Sequence, residues 1–397
     1  MKQRYSPNTQ KAEKLKNKVY CTAPWNGITV RENGDVRTCC IGKEVLLNLN
    51  QGNIHDLENN AKLENIKQQM LHGNAGTNCE GCIKQEEQFG YAQLKEHYNQ
   101  NYPDIDEDLN LRFLDIRWNN KCNLTCLYCN SNFSSSWEKK QGIIATSAKK
   151  NYQDELLDWI LERSQQVHEV MLVGGEPLLM KQNKALVDKL DTKCRLSIIT
   201  NASMPLETNS IFASVQRFPK ENVMWNISID NTEQEFEYVR SGSSWEILKK
   251  NILLLTKMYP QQVTVTMVYS VFNALRLSSI LKQFDALGVT KFNLQPIHSD
   301  ENYCLSILQA PQVFRQLALE QVNQIKHWHN SRRGDTSKLY PIQGLDEIHQ
   351  QLQTVAPKAN KQSFLDKVLW LDNNTDSKYT FAQLWKREYE LLVNHLD

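Results

Sequence analysis

The run Cys122-Asn123-Leu124-Thr125-Cys126-Leu127-Tyr128-Cys129 constrains this chain more than any other stretch, because it sets three thiols in a CxxxCxxC spacing. Just upstream, Leu111-Arg112-Phe113-Leu114-Asp115-Ile116-Arg117-Trp118 alternates apolar and polar side chains, which predicts a strand. Asn119-Asn120 end it, so the thiols fall on a loop beyond the strand's carboxyl end, the edge where ligands bind in α/β folds. Four cysteines make the usual full set for a four-iron cluster, so three can grip three irons and leave one open. A structural zinc knuckle that borrows a fourth ligand is the competing reading, since zinc also favours short cysteine spacings.

A second motif bears on that choice. Val170-Met171-Leu172-Val173 is an apolar run suited to a buried parallel strand, and it empties into Gly174-Gly175-Glu176-Pro177. The glycines let the backbone approach a ligand closely, and the carboxylate can accept hydrogen bonds from an ammonium group. CxxxCxxC with an aromatic residue before its last cysteine, followed by a GGEP strand end, resembles the radical S-adenosylmethionine (radical SAM) superfamily. The resemblance implies that Cys122, Cys126 and Cys129 hold a [4Fe-4S] cluster. It also implies that S-adenosylmethionine chelates the open iron and that Tyr128 lies beside the adenine. Reductive cleavage of that cofactor would release a 5′-deoxyadenosyl radical.

A chain of 397 residues has room for two or three domains. Its net charge of +1 gives no electrostatic case for a nucleic-acid partner. No apolar core of a signal peptide follows the basic start, and no run approaches the ~20 apolar residues that cross a bilayer, so no membrane partner is expected. A cytoplasmic location follows, where thiols stay reduced and clustered cysteines point to metal rather than to disulfides.

Eight of the ten cysteines lie before residue 130, and four of them form a second set. Asn33-Gly34 predicts a hairpin that brings Cys21 and Cys39 to the open ends of adjacent strands, and Cys79-Glu80-Gly81-Cys82 adds a tight pair. Zinc ribbon and auxiliary iron–sulfur cluster both fit these four thiols. The order Cys21, twelve residues, Gly34, four residues, Cys39 resembles the start of the SPASM and twitch modules of radical enzymes. Nothing after Cys82 completes a further set, so the match is to the one-cluster twitch form, here placed before the barrel. Cys40 is left over as a buried thiol, with slippage between Cys39 and Cys40 open.

From residue 111 the pattern repeats strand, loop, helix, with candidate strands at 111–118, 168–173, 195–200, 223–229, 262–269 and 289–295. Six strands are too few for a closed eight-stranded barrel. The expected fold class is therefore α/β: an open six-stranded (β/α)6 partial TIM-like barrel, preceded by a small cysteine-rich hairpin and helix module and followed by a helical region. The expected divisions are a polar tail at 1–20, the twitch module at 21–95, a linker at 96–110, the radical SAM core at 111–310 and a helical extension at 311–397.

Polar residues end the later strands: Thr200 and Asn201 on the third, Ser228 and Asp230 on the fourth, with Arg240 in the following turn or helix. In the family the matching serine and arginine contact the methionine part of the cofactor, and a guanidinium can hold a carboxylate bidentately. Asn273, past the fifth strand, is a similar but lesser candidate, whereas His168, Cys194 and the histidines near Trp328 read as structural. Cys304, after the sixth strand, is a speculative hydrogen-atom donor beside the ordinary reading of a buried thiol.

The function implied is a radical SAM enzyme that abstracts hydrogen from a substrate, assisted by one auxiliary [4Fe-4S] cluster. Relatives with such modules often crosslink, epimerise or oxidise ribosomally made peptides, and others act on small molecules. An electron donor such as flavodoxin or ferredoxin is the expected partner. The rival from another class is a non-catalytic iron–sulfur carrier or sensor, which has no need of the GGEP, Ser228 and Arg240 features.

Overall fold

A computed structural model describes residues 19–74, 76–106, 108–143, 152–297, 300–331, 340–354 and 361–395. Most of the tail expected at 1–20 therefore lies outside the described residues. The strands are β1 (Gly27–Val30), β2 (Asp35–Arg37), β3 (Leu47–Asn48), β4 (Phe113–Ile116), β5 (Thr125–Cys126) and β6 (Glu169–Leu172). They continue with β7 (Arg195–Thr200), β8 (Val223–Ser228), β9 (Arg240–Ser241), β10 (Val263–Tyr269) and β11 (Lys291–Pro296). All six runs predicted as strands from residue 111 onward are strands, most of them trimmed at one or both ends. The fold is α/β with a mostly parallel sheet. Among the described residues no helix is long and apolar enough to cross a membrane.

The chain divides into two compact units, Met1–Lys121 with Ile144–Ser197, and Cys122–Ile143 with Ile198–Asp397. In the first unit the strand order is β6-β4-β1-β2-β3. β1 pairs parallel with β4, Gly27 opposite Phe113 and Val30 opposite Ile116, while β2 returns antiparallel to β1. The hairpin thus does not stand apart, because its first strand continues the parallel ladder. Three aromatic rings, Tyr98, Tyr102 and Phe113, pack against one another and against Trp25, Met70 and Cys21. Tyr98 and Tyr102 come from the helix Gln93–Asn101 and the residue after it, within the stretch expected partly as a linker. The helix forms there because Tyr98 has a core to enter, a tertiary gain that a polar local composition conceals. The neighbouring helix Ala61–Leu71 starts where the Asn60 side chain accepts from the N–H groups of Lys62 and Leu63, and it buries Leu63, Ile66 and Met70.

In the second unit β8, β10 and β11 run parallel, in register from Val263 opposite Trp225 to Tyr269 opposite Pro296. β8 and β10 alternate buried and half-buried positions strictly, the period of two that gives a strand two unlike faces. Helices Trp245–Met258 and Leu277–Ala286 bury Leu248, Ile252, Leu255, Ile280, Leu281 and Phe284. A separate two-stranded ribbon pairs β5 with β9, Cys126 opposite Arg240. After β11 the chain is helical at Gln312–Ser331, Leu345–Gln353, Lys361–Asn374, Phe381–Leu384 and Lys386–His395.

Candidate functional site

The CxxxCxxC loop is held by hydrogen bonds to its own carbonyls. Ser134 Oγ donates to Leu124 O at 2.7 Å, Ser136 Oγ to Cys122 O at 2.8 Å, and Trp137 Nε1 to Cys126 O at 3.0 Å. These donors sit on or beside the short helix Ser135–Lys140, which starts where Ser134 accepts from Trp137 N–H. The cap is Ser134, one residue before the Ser135-to-Glu138 spacing that a capping box would mark in the sequence.

Cys126 lies opposite Arg240 in the ribbon, and the guanidinium Nη1 stands 3.9 Å from its sulfur. Arg240 is fixed by an ion pair to Asp230, Nε to Oδ2 at 2.9 Å, and Asp230 has no exposure to solvent. Asp230 also accepts from Val268 N–H at 2.8 Å, and the Asn273 amide holds the carbonyls of Asp230 and Val268. Burial pushes the Cys126 thiol up to about 12, with Arg240 opposing the shift and the nearby Cys122, Cys129 and Asp230 adding to it. A thiolate at this position thus needs positive charge beside it, which Arg240 supplies in part and iron would supply in full.

Asn201 connects to the loop at its other end. Its Nδ2 lies 3.1 Å from Asn123 Oδ1 and 3.9 Å from Cys122 Sγ, and its Oδ1 accepts from Ser203. Thr200 turns inward instead, its Oγ1 accepting from Ala202 N–H. Tyr128 is bonded through its hydroxyl to Ser270 Oγ at 2.5 Å and meets Phe272 edge-on. Ser270 carries no sequence signal of its own. Ser228 is the half-buried last residue of β8. Cys304, on the turn Asp300–Leu305, is half-buried, and burial is the main cause that raises its pKa, with Lys367 opposing.

Gly174, Gly175 and Glu176 follow β6 in the first unit. Gly174 takes φ +119°, and a Cβ on Gly175 would stand 2.3 Å from Lys121 O, so only glycine lets these backbones touch. Glu176 donates its N–H to Lys121 O at 2.8 Å, which ties the motif to the residues just before the cysteine loop. Its buried carboxylate caps a short turn by accepting from Leu178 N–H at 3.0 Å. The carboxylate expected from sequence to accept from an ammonium group is thus seen here as a cap.

The second cysteine set also gathers in the first unit. Cys21, Cys39, Cys79 and Cys82 line one cavity, together with Ala23, Ile41, Met70, Leu94 and Tyr98. Burial pushes the Cys39 thiol up to about 11 and that of Cys79 to about 12, and neighbouring thiols of the set add to both shifts. Among the described residues no three His, Cys, Asp or Glu side chains close on a single ion. The thiols ring the cavity, and four soft donors in an apolar pocket suit an iron–sulfur cluster. Cys40 is not in that lining, and burial followed by Asp115 raises its pKa to about 12.

Residues 116–272 match the model of the Radical SAM superfamily. The matched stretch is the one in which a protein of that superfamily would hold S-adenosylmethionine and a [4Fe-4S] cluster. The 7-carboxy-7-deazaguanine synthase of Clostridium acetobutylicum is 26% identical over 171 residues, 40% of this chain and 73% of that protein. The radical SAM cyclopropyl synthase TigE of Paramaledivibacter caminithermalis is 27% identical over 178 residues, covering 40% of this chain and 37% of that protein. The crystal structure of Streptococcus suis SuiB bound to S-adenosylmethionine aligns with a TM-score of 0.43 at 12% identity, over 74% of this chain and 63% of SuiB.

Proposed function

We propose that this chain is a radical SAM enzyme that modifies a peptide and carries a second four-iron cluster on Cys21, Cys39, Cys79 and Cys82. The observation that carries the second cluster is the convergence of those four thiols on one apolar-lined cavity. The peptide substrate rests on the resemblance of the N-terminal cysteine pattern to twitch modules. β4, β6, β7, β8, β10 and β11 are read as the strands of the open barrel.

Cys122, Cys126 and Cys129 would hold a four-iron cluster through sulfur, and the bound cofactor would supply radical hydrogen-atom abstraction from a substrate carbon. Arg240 offsets thiolate charge at Cys126, and Asp230 aims it. Gly174 and Gly175 leave room for a close backbone approach, and the second lone-pair sites of Glu176 accept from an ammonium group. Ser228, Asn201, Thr200 and Tyr128 complete the proposed cofactor contacts. An external one-electron donor such as flavodoxin or ferredoxin reduces the protein. The small-molecule reading is favoured by one observation, the relative named as a 7-carboxy-7-deazaguanine synthase.

Cys79→Ala and Cys82→Ala are expected to keep 5′-deoxyadenosine release while losing product. The neighbouring reading frames are searched for a short precursor peptide, and the mass of a peptide found there is followed after anaerobic incubation. Product at the normal rate from either variant would reduce the module to a brace. A peptide left unchanged by the parent enzyme during active cofactor cleavage would sink the peptide reading.

A further inference from the structure

The helical extension packs mostly on its own helices, yet its stretch Lys361–Asp376 also bonds to residues beside the cysteine loop. Within the second unit, the helix Lys361–Asn374 lays Trp370 flat on Trp137, centroids 5.5 Å apart and planes 18° apart. Trp137 is the residue whose indole N–H holds Cys126 O. Two residues further along the helix, Asp372 accepts from Tyr238 Oη at 2.7 Å, two positions before Arg240. Past the helix end, Asp376 and Ser241 bond reciprocally: Asp376 N–H donates to Ser241 Oγ at 2.8 Å, and Ser241 Oγ donates to Asp376 Oδ2 at 3.1 Å. Asp376 also takes Lys140 Nζ at 3.0 Å, from the helix that carries Trp137. Ser241 is the immediate neighbour of Arg240 in the ribbon opposite Thr125 and Cys126.

The same extension reaches the other end of the loop. Trp385 Nε1 donates to Phe272 O at 2.7 Å, and Phe381 packs on the Phe272 ring, which in turn meets Tyr128. The helix Lys361–Asn374 buries Phe364, Val368 and Leu371 as an apolar stripe at helical spacing, so its exposed face has no packing task of its own. Here a 39%-exposed tryptophan and a 67%-exposed aspartate side chain are each committed to residues flanking Cys126 or Arg240.

We propose that residues 361–376 form a strap that positions the cysteine loop, with Trp370 and Asp376 as its positioning residues. This rests on the reading of Cys122, Cys126 and Cys129 as cluster ligands. The strap acts by suppressing local opening of the ribbon and of the helix Ser135–Lys140, the route by which solvent and chelator reach the irons. Neither residue touches cofactor or substrate. Its effect is on how long the cluster stays closed and on how the cluster responds to S-adenosylmethionine.

The test uses the full reconstituted chain and an iron chelator under anaerobic conditions, reading the rate of iron release. The phase absent from the Cys122→Ala/Cys126→Ala/Cys129→Ala protein belongs to the loop cluster. Trp370→Ala and Asp376→Ala should each speed that phase on the order of tenfold, as for loss of one modest contact from a local opening equilibrium. The other phase and the melting temperature should hold, and Trp370→Phe should restore most of the slow release. The electron paramagnetic resonance change on adding S-adenosylmethionine should broaden in the two alanine variants. Unchanged release in both variants would overturn the strap, as would equal acceleration of both phases with a fall in melting temperature. If the triple cysteine protein lacks no phase, the ligand assignment itself has failed, which is a separate result.

Discussion

The Cys122→Ala/Cys126→Ala/Cys129→Ala protein, reduced anaerobically with S-adenosylmethionine, is expected to release no 5′-deoxyadenosine. The reason is local to the loop. Cys126 sits against Arg240 at 3.9 Å, and with Cys122 and Cys129 it forms the proposed ligand set of the active cluster. Without them no iron stays at the carboxyl edge to receive the cofactor. The backbone framework should survive, because the serine and tryptophan bonds that shape the loop go to its carbonyls, not to its sulfurs. Continued cofactor cleavage by a correctly folded triple variant would refute the assignment of the active cluster.

The second large effect concerns stability. Asp230 is fully buried and its single charge serves two partners, the Arg240 ion pair and the Val268 N–H. Asp230→Ala removes one partner and leaves a buried guanidinium uncompensated, a change that costs about 3–5 kcal/mol. Asp230→Asn keeps an acceptor for Val268 but no charge for Arg240, so it should cost less. Denaturant unfolding of the iron-free chain measures both, which separates the pair from any cluster contribution. A loss below about 1 kcal/mol for the alanine variant would mean that Arg240 finds other partners or water.

Most of the strand framework was legible because alternation and continuous apolar runs are local signals. Leu111–Trp118 and the run before Gly174 needed no tertiary knowledge, and the stretch that matches the Radical SAM model holds the CxxxCxxC spacing. The parallel pairing of β1 with β4 was not legible, since register between strands some 80 residues apart leaves no mark in either one. The helix Gln93–Asn101 was hidden for a related reason, its polar composition outweighing one buried tyrosine. Single side-chain bonds over long separations were invisible altogether, among them Tyr128 to Ser270 and Ser241 to Asp376. Glu176 illustrates a subtler limit. Its residue type suggested an ammonium acceptor, whereas its place after two glycines also makes it a cap for the next turn.

Iron and acid-labile sulfide, counted on the anaerobically reconstituted full chain, test the two-cluster account most directly. The prediction is about eight irons per chain, falling to about four when either Cys122, Cys126 and Cys129 or Cys79 and Cys82 are replaced by alanine. A parent count of about four, left unchanged by Cys79→Ala/Cys82→Ala, would contradict it.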